Sequence, residues 1–445
     1  MAEKKRQMKL ACHIHATGHH VAAWMHPGSQ KDAGSNPEHY MDMAKLAERG
    51  KFDLMFLADV PAIRDGNLEG LARWPQYMAH FEPLTILSAM AAVTKHVGFV
   101  ATASTSYLEP YNLARLFGSL DHISHGRAGW NIVTTSNPAA AGNFGRDEHY
   151  SHAERYRRAR EFVEIVKGLW DSYDDDAFVR DVGTGVYFDH KKLHRLNHQG
   201  EFFSVKGPLN MPRPPQGHPL LVQAGTSGDG RGLASDVADM VFIQQLRLST
   251  AQAIYKDIKA RVVEAGRQPE DLLLMPGMAV IISDTEDEAK RQNDWLQSKI
   301  HTDVGLELLG GQLGYISLKG VDVEKPLPES VMPPENTSEG ARLREMLKDN
   351  PQTVRQMYEQ VSGARGSHVL FGTPTQVADG LQEWFEGRGG DGFIIQPSWL
   401  PGGMVDFVDK VVPELQRRGI FRKEYEGTTM RENLGLKRPP SRYAN

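Results

Sequence analysis

The chain concentrates histidines in one short string, HIHATGHH, which holds His13, His15, His19 and His20. In an extended segment side chains alternate, so His13 and His15 share a face, and paired histidines at a strand end are one way to begin a metal site. Such a site needs further His or carboxylate ligands from other strands. The later apolar strings end in QAGTS, FIQQ and IIQP, and none of them supplies one. A metal-dependent hydrolase is therefore a remote alternative. No metal is assigned, and the histidines read as polar groups lining a pocket.

A second set of residues offers hydroxyls, amides and backbone N–H groups: Asp59, Thr102 to Ser106, Thr134 to Asn137, Gly225 to Ser227, Gln244 and Gln396. Groups of this kind bind an anion and orient a planar ligand, but do no acid–base work alone. Gly225-Thr226-Ser227-Gly228 precedes a predicted helix, whose exposed N–H groups and positive dipole end suit a phosphate. Plain N-capping by Thr226 or Ser227 is the alternative. His152 and Tyr156, four apart on a predicted helix, share one face and can complete the seat. No GxGxxG follows a strand and no GxSxG is present, so neither a dinucleotide fold nor a nucleophile elbow is indicated.

These residues act together only if the fold gathers them. Apolar runs at 8–14, 52–58, 97–103, 127–133, 220–224, 240–243, 272–282 and 392–395 read as strands, each followed by a helical pattern. Eight strand–helix units predict an α/β fold, a (β/α)8 TIM barrel with its site at the C-terminal strand ends. The whole chain, 1–445, reads as one such domain. Insertions are expected at about 171–217 and 305–351, the second serving as a lid.

Composition narrows the function further. With 445 residues, a net charge of -5 and 40% hydrophobic residues, the chain can bury a large core but has no basic stripe for nucleic acid. The single cysteine, Cys12, excludes an intramolecular disulfide and fits a reducing cytoplasm. The opening MAEKKRQ has no apolar run behind it, and no window is apolar enough to span a membrane.

Several long strings resemble the bacterial-luciferase-like flavin monooxygenases. They are ERGKFDLMFLAD, PLTILSAMAAVTKHVGFVATASTSYLEPYNLARLFGSLDHISHGRAGWNIVTT, NFGRDEHYSHAERY, GPLNMPRPPQGHPLLVQAGTSGDGRGLA and DGFIIQPSWLPGGMVDFVDKVVPELQRRGIFRKEYEGTTMRENLGL. The branch they resemble includes nitrilotriacetate, dibenzothiophene sulfone and long-chain alkane monooxygenases. The resemblance implies a barrel that takes reduced FMN from a separate NAD(P)H-dependent flavin reductase, reacts with O2 and oxygenates a small molecule. It implies a homodimer or homotetramer. It places Asp59, Thr102, Ser136, His152, Tyr156, Thr226 and Ser227 at FMN, and His19 and Asn137 at the reacting centre. Asn137 and Ala16 stand where alkane-oxidising members carry His and Cys, and Gln312 where the sulfone enzyme has a pocket histidine. The resemblance thus leans to hydroxylation next to nitrogen with C–N cleavage, on a small substrate of the aminopolycarboxylate type. C–S cleavage of a sulfone is the alternative, and a non-catalytic flavin-binding protein a remote one. Arg64 and Arg73, after Asp59, are expected to meet carboxylates.

Overall fold

The computed structural model describes residues 6–444 apart from 64–65, 77, 225–227 and, within 336–349, all but 340, 343, 344 and 347. Its centre is a closed ring of parallel strands: β1 (Lys9–His13), β2 (Leu54–Leu57), β3 (Gly98–Ser104), β4 (Ala128–Val133), β5 (Leu220–Gln223), β6 (Met240–Ile243), β7 (Leu273–Ile282) and β8 (Gly392–Pro397). Each pairs with the next, and β8 returns to β1 in the register Lys9↔Gly392 to Cys12↔Ile395. The (β/α)8 barrel expected from eight alternations is the fold observed. β7 is the longest strand because its two halves have different neighbours. Leu273–Pro276 pairs with β6, and Met278–Ile282 with an additional parallel strand, His368–Gly372.

Alternation along the strands builds two cores. Inward residues Ala11, Leu54, Val100, Val222, Met240, Met275 and Ile394 fill the barrel. Outward ones, among them Leu10, Phe99, Trp130 and Phe393, meet the helices. Those helices are α1 (Pro37–Arg49), α2 (Pro83–Ala92), α3 (Pro110–Ile123), α4 (His152–Trp170), α5 (Gly228–Val237), α6 (Leu248–Glu264) and α7 (Glu286–Ser298). Proline opens α1, α2 and α3, where its missing N–H costs nothing. At the foot of β4 the buried Arg127 donates to Ser124 O, Thr94 Oγ1, Thr94 O, Val97 O and Ala91 O. It ties the entry of β4 to the turn before β3.

The segment 171–217 leaves the barrel with one helical turn, His190–Lys192, and a small antiparallel ribbon, His198–Gln199 with Ser204–Val205. Its far end is latched by Asp171, which accepts from Arg213 Nε at 2.9 Å and His218 Nε2 at 3.0 Å. The segment expected as a loop-rich lid carries more order than its Gly and Pro content suggests. Helices α8 (Thr302–Gln312) and α9 (Val354–Ala364) bracket it, and Leu309, Leu313, Leu318, Leu327, Val354, Met357 and Tyr358 form a core of their own. Helix α10 (Pro374–Glu386) then leads to β8. The tail after Tyr425 plugs the barrel floor. Met430 and Leu434 join the interior cluster, and Arg431 pairs with Asp239 at 2.6 Å.

Candidate active site

The chain turns back on itself immediately after β1. Gly18 N–H donates to His15 O at 2.8 Å, and Gly18 adopts φ +128°, open to glycine and strained for other residues. A Cβ there would lie 2.4 Å from Trp399 Cα, so the turn packs directly on the segment after β8. His19 N–H then donates to Pro397 O at 2.9 Å, and His20 N–H to Ser398 O at 3.1 Å. The result is a cluster that spacing alone did not reveal. His19 comes back to His13 and His15, with ring centroids 5.7 and 5.2 Å away, and their ring nitrogens lie within 4.8 Å of one another. His13 continues the inward face of β1 above Ala11 and packs edge-on against Phe56 at 4.9 Å. Burial, reinforced by the Arg365 charge, pushes His13 down to about 3 and holds His15 and His19 well below the ordinary histidine value. All three are neutral at physiological pH.

One layer above the apolar interior, the inward positions become polar. Thr102 on β3 accepts from Asn131 Nδ2 on β4 at 2.9 Å, the two being register partners. Asn131 Oδ1 and both amide atoms of Gln396 on β8 are buried without a hydrogen-bond partner. Beside them, Gln76 donates to His15 Nδ1 at 2.9 Å, and His80 Nε2 donates to Asp59 at 2.9 Å. Asn131, Gln76 and His80 were missed in the sequence. Asn131 carries a readable signal, as the lone amide inside an apolar strand, whereas Gln76 and His80 sit in a loop with none.

The end of β4 is held by α4. Arg155 donates to Thr135 O at 2.9 Å, Ser104 and Thr135 hydroxyls meet at 2.5 Å, and Thr135 takes φ +47°. Asn137 is buried and caps the following turn, accepting from Ala139 N–H at 3.1 Å. Ser136 is exposed and its hydroxyl meets Tyr315 OH, from the segment after α8, at 3.2 Å. Asn137, Tyr315, Glu307 and Asn67 line a cleft of about 430 Å³ between that segment and β4, a volume suited to a small ligand.

The opposite rim carries the candidate anion seat. His152 opens α4 and its Nδ1 lies 3.3 Å from Asp229 in the first turn of α5, while the rings of His152 and Tyr156 are 4.8 Å apart. Two helices thus begin side by side, and their exposed N–H groups and dipoles add. Asp229 opposes an incoming phosphate, and it is exposed enough to turn away. Thr226 and Ser227, expected here, lie outside the described residues, as does Arg64. Arg73 is exposed, its carbonyl accepting from Trp24 Nε1 at 3.0 Å, and it joins neither cluster.

The arrangement fits FMN. A planar ring with alternating donors and acceptors answers the unpaired amides of Asn131 and Gln396 beside Thr102, and a phosphate answers the paired helix starts at His152. Asp59, bound to His80, stands on the histidine side of the mouth.

Comparison with known proteins agrees. Residues 16–392 match the family described as luciferase-like monooxygenase. The chain is 49% identical to N-acetyl-S-(2-succino)cysteine monooxygenase of Bacillus subtilis (strain 168), over 100% of both chains. It is 45% identical to nitrilotriacetate monooxygenase component A of Aminobacter aminovorans, over 99% of this chain and 98% of that one. Among solved structures, that of DmoA from Hyphomicrobium sulfonivorans superimposes with a TM-score of 0.88 at 34% identity, covering 96% and 92% of the two chains. Long-chain alkane monooxygenase (LadA) does so with a TM-score of 0.86 at 34% identity, covering 98% and 96%. With close relatives aligned from end to end on the same barrel, the chain belongs to the luciferase-like monooxygenases, and is a flavin-dependent monooxygenase.

Proposed function

We propose that this chain is the oxygenating component of a two-component system that hydroxylates carbon next to nitrogen in a small aminopolycarboxylate and so cleaves a C–N bond. The observation that carries this is the pairing of a neutral, desolvated histidine cluster with a polar ring layer in a barrel nearly half identical to a nitrilotriacetate monooxygenase component A. Reduced FMN, delivered by a separate NAD(P)H-dependent flavin reductase, supplies the two electrons with which O2 is split. One oxygen atom enters a C–H bond of the substrate and the other leaves as water. The resulting carbinolamine collapses to an aldehyde and an amine.

The protein's share is binding, orientation and dryness. His152, Tyr156 and the start of α5 hold the phosphate, joined by Thr226 and Ser227. Thr102, Asn131 and Gln396 orient the ring, with Asp59 and Ser136 at its margins. His19 and Asn137 face the reacting carbon. Being neutral, the histidines donate one N–H each and deliver no proton at pH 7. The α8–α9 segment, touching Ser136 through Tyr315, excludes water that would dissipate the oxidant.

A second reading is oxygenation of carbon next to sulfur. The 49% identical relative favours it, since that name denotes a carboxylated thioether. The test is product analysis with the chain, FMN, NADH, a generic flavin reductase and a panel of aminopolycarboxylates, S-succinyl thioethers and sulfones. Aldehyde and amine from the first group supports the main reading. Products from the other groups alone transfers the proposal to sulfur, and no product from any removes both.

A further inference from the structure

We propose that Arg365, together with the imidazoles of His13 and His19, forms a seat for a carboxylate of the substrate at the barrel mouth. The inference rests on the oxygenase reading only for the claim that the anion is substrate. Its physical basis is separate.

Arg365 is placed by backbone geometry. It ends α9 in the left-handed conformation at φ +50°, with its N–H donating to Val361 O at 2.7 Å. This turns the side chain from the lid toward the loop after β1. There its Nε donates to His19 O at 3.1 Å, and the guanidinium lies 5.4 Å from the Trp74 ring centre. The cation is thus fixed between lid and barrel, and its charge reaches all of His13, His15, His19 and His20. His20 is occupied, its Nδ1 accepting from Ala22 N–H at 3.0 Å. His13 is 6% exposed and has no hydrogen-bond partner on either ring nitrogen. His19 is 1% exposed; its ring lies beside the Ala364 backbone without a hydrogen bond of normal geometry. A buried unpaired N–H is costly, so a ligand that accepts from these rings recovers that cost.

The same three rings, His13, His15 and His19, have the spacing of a metal site. Charge decides against a cation. The carboxylate of Asp59, on the histidine side of the mouth, is bound by His80, whereas the positive charge of Arg365 acts on the cluster. Neutral N–H donors beside a guanidinium are complementary to a planar anion, and a guanidinium matches a carboxylate in shape as well as charge.

The test is calorimetric titration of the full-length chain with succinate, with dimethyl succinate and with Zn2+, alongside FMN titration followed by flavin fluorescence. Succinate should bind and its neutral ester should not. R365M should weaken succinate at least tenfold, R365K less, and FMN affinity should stay within twofold in both. R365K, which keeps the charge, guards against a folding defect in R365M. Loss of FMN affinity with succinate unchanged would assign the arginine to the flavin and overturn the seat. Stoichiometric Zn2+ lost in H13N, with no succinate binding, would make the cluster a metal site and overturn it equally. Intact succinate binding with no product from aminopolycarboxylates supports the seat while removing the aminopolycarboxylate reading.

Discussion

At the scale of single residues, what distinguishes this mouth is neutrality. Histidine ordinarily titrates near neutral pH, but burial pushes His13 and His20 down to about 3. The linkage has one direction. Between pH 6.5 and 3 the unfolded chain binds protons that the folded chain refuses, so stability falls as pH falls through that window. At pH 5 each of these two histidines costs about 2 kcal/mol relative to neutral pH. Thermal denaturation between pH 7 and 5 should therefore show a steep loss of Tm, and H13Q/H20Q should flatten it; an unchanged slope in the double variant contradicts the account. At the phosphate end, H152A/Y156F should weaken reduced FMN about tenfold or more, as expected for loss of charge-assisted hydrogen bonds. Unchanged affinity in an anaerobic titration would empty that seat. Where these side chains would stand was partly legible in sequence. Ser136 and Asn137 stand just past an apolar run, Thr102 at the end of one, and His152 and Tyr156 on one helical face. The return of His19 was not legible, because it depends on Gly18 resting against Trp399, far away in the chain. Arg365 was hidden for the same reason.

At the scale of elements, the strands were readable and the helical order of the 305–351 segment was not. Strands buried on both faces leave continuous apolar runs such as LMFL and MVFI, which survive any loop context. Helix α8 divides its apolar residues, Leu309 facing Val354, Met357 and Tyr358 of α9 while Val304 and Leu308 face Val21, Leu71 and Trp74, so no single periodic run marks α8 and α9 as a unit. The floor of β4 depends on Arg127, a buried cation whose partners are carbonyls and a hydroxyl rather than a carboxylate. R127M should destabilise the protein by about 3–5 kcal/mol, since those acceptors lose their donor together. Urea unfolding measures it; a loss under 1 kcal/mol would show the clamp to be dispensable.

At the scale of the molecule, each end of the barrel has its own closure. The C-terminal tail plugs the floor through Met430 and the Arg431–Asp239 pair, while α8 and α9 cover the mouth through Tyr315 and Arg365. Polar residues are thereby confined to one layer between an apolar interior and a covering lid, the setting in which a reactive oxygen species can be directed at carbon. The most direct test of that claim is mass spectrometry of product formed under 18O2 with NADH, FMN and a flavin reductase, with aminopolycarboxylate as substrate. One labelled oxygen atom per product at the instant of C–N cleavage, with one NADH and one O2 consumed, is the predicted result; because the aldehyde exchanges with water, it is trapped by reduction in situ. Product carrying only solvent oxygen from the first turnover, or formed without O2, would contradict it.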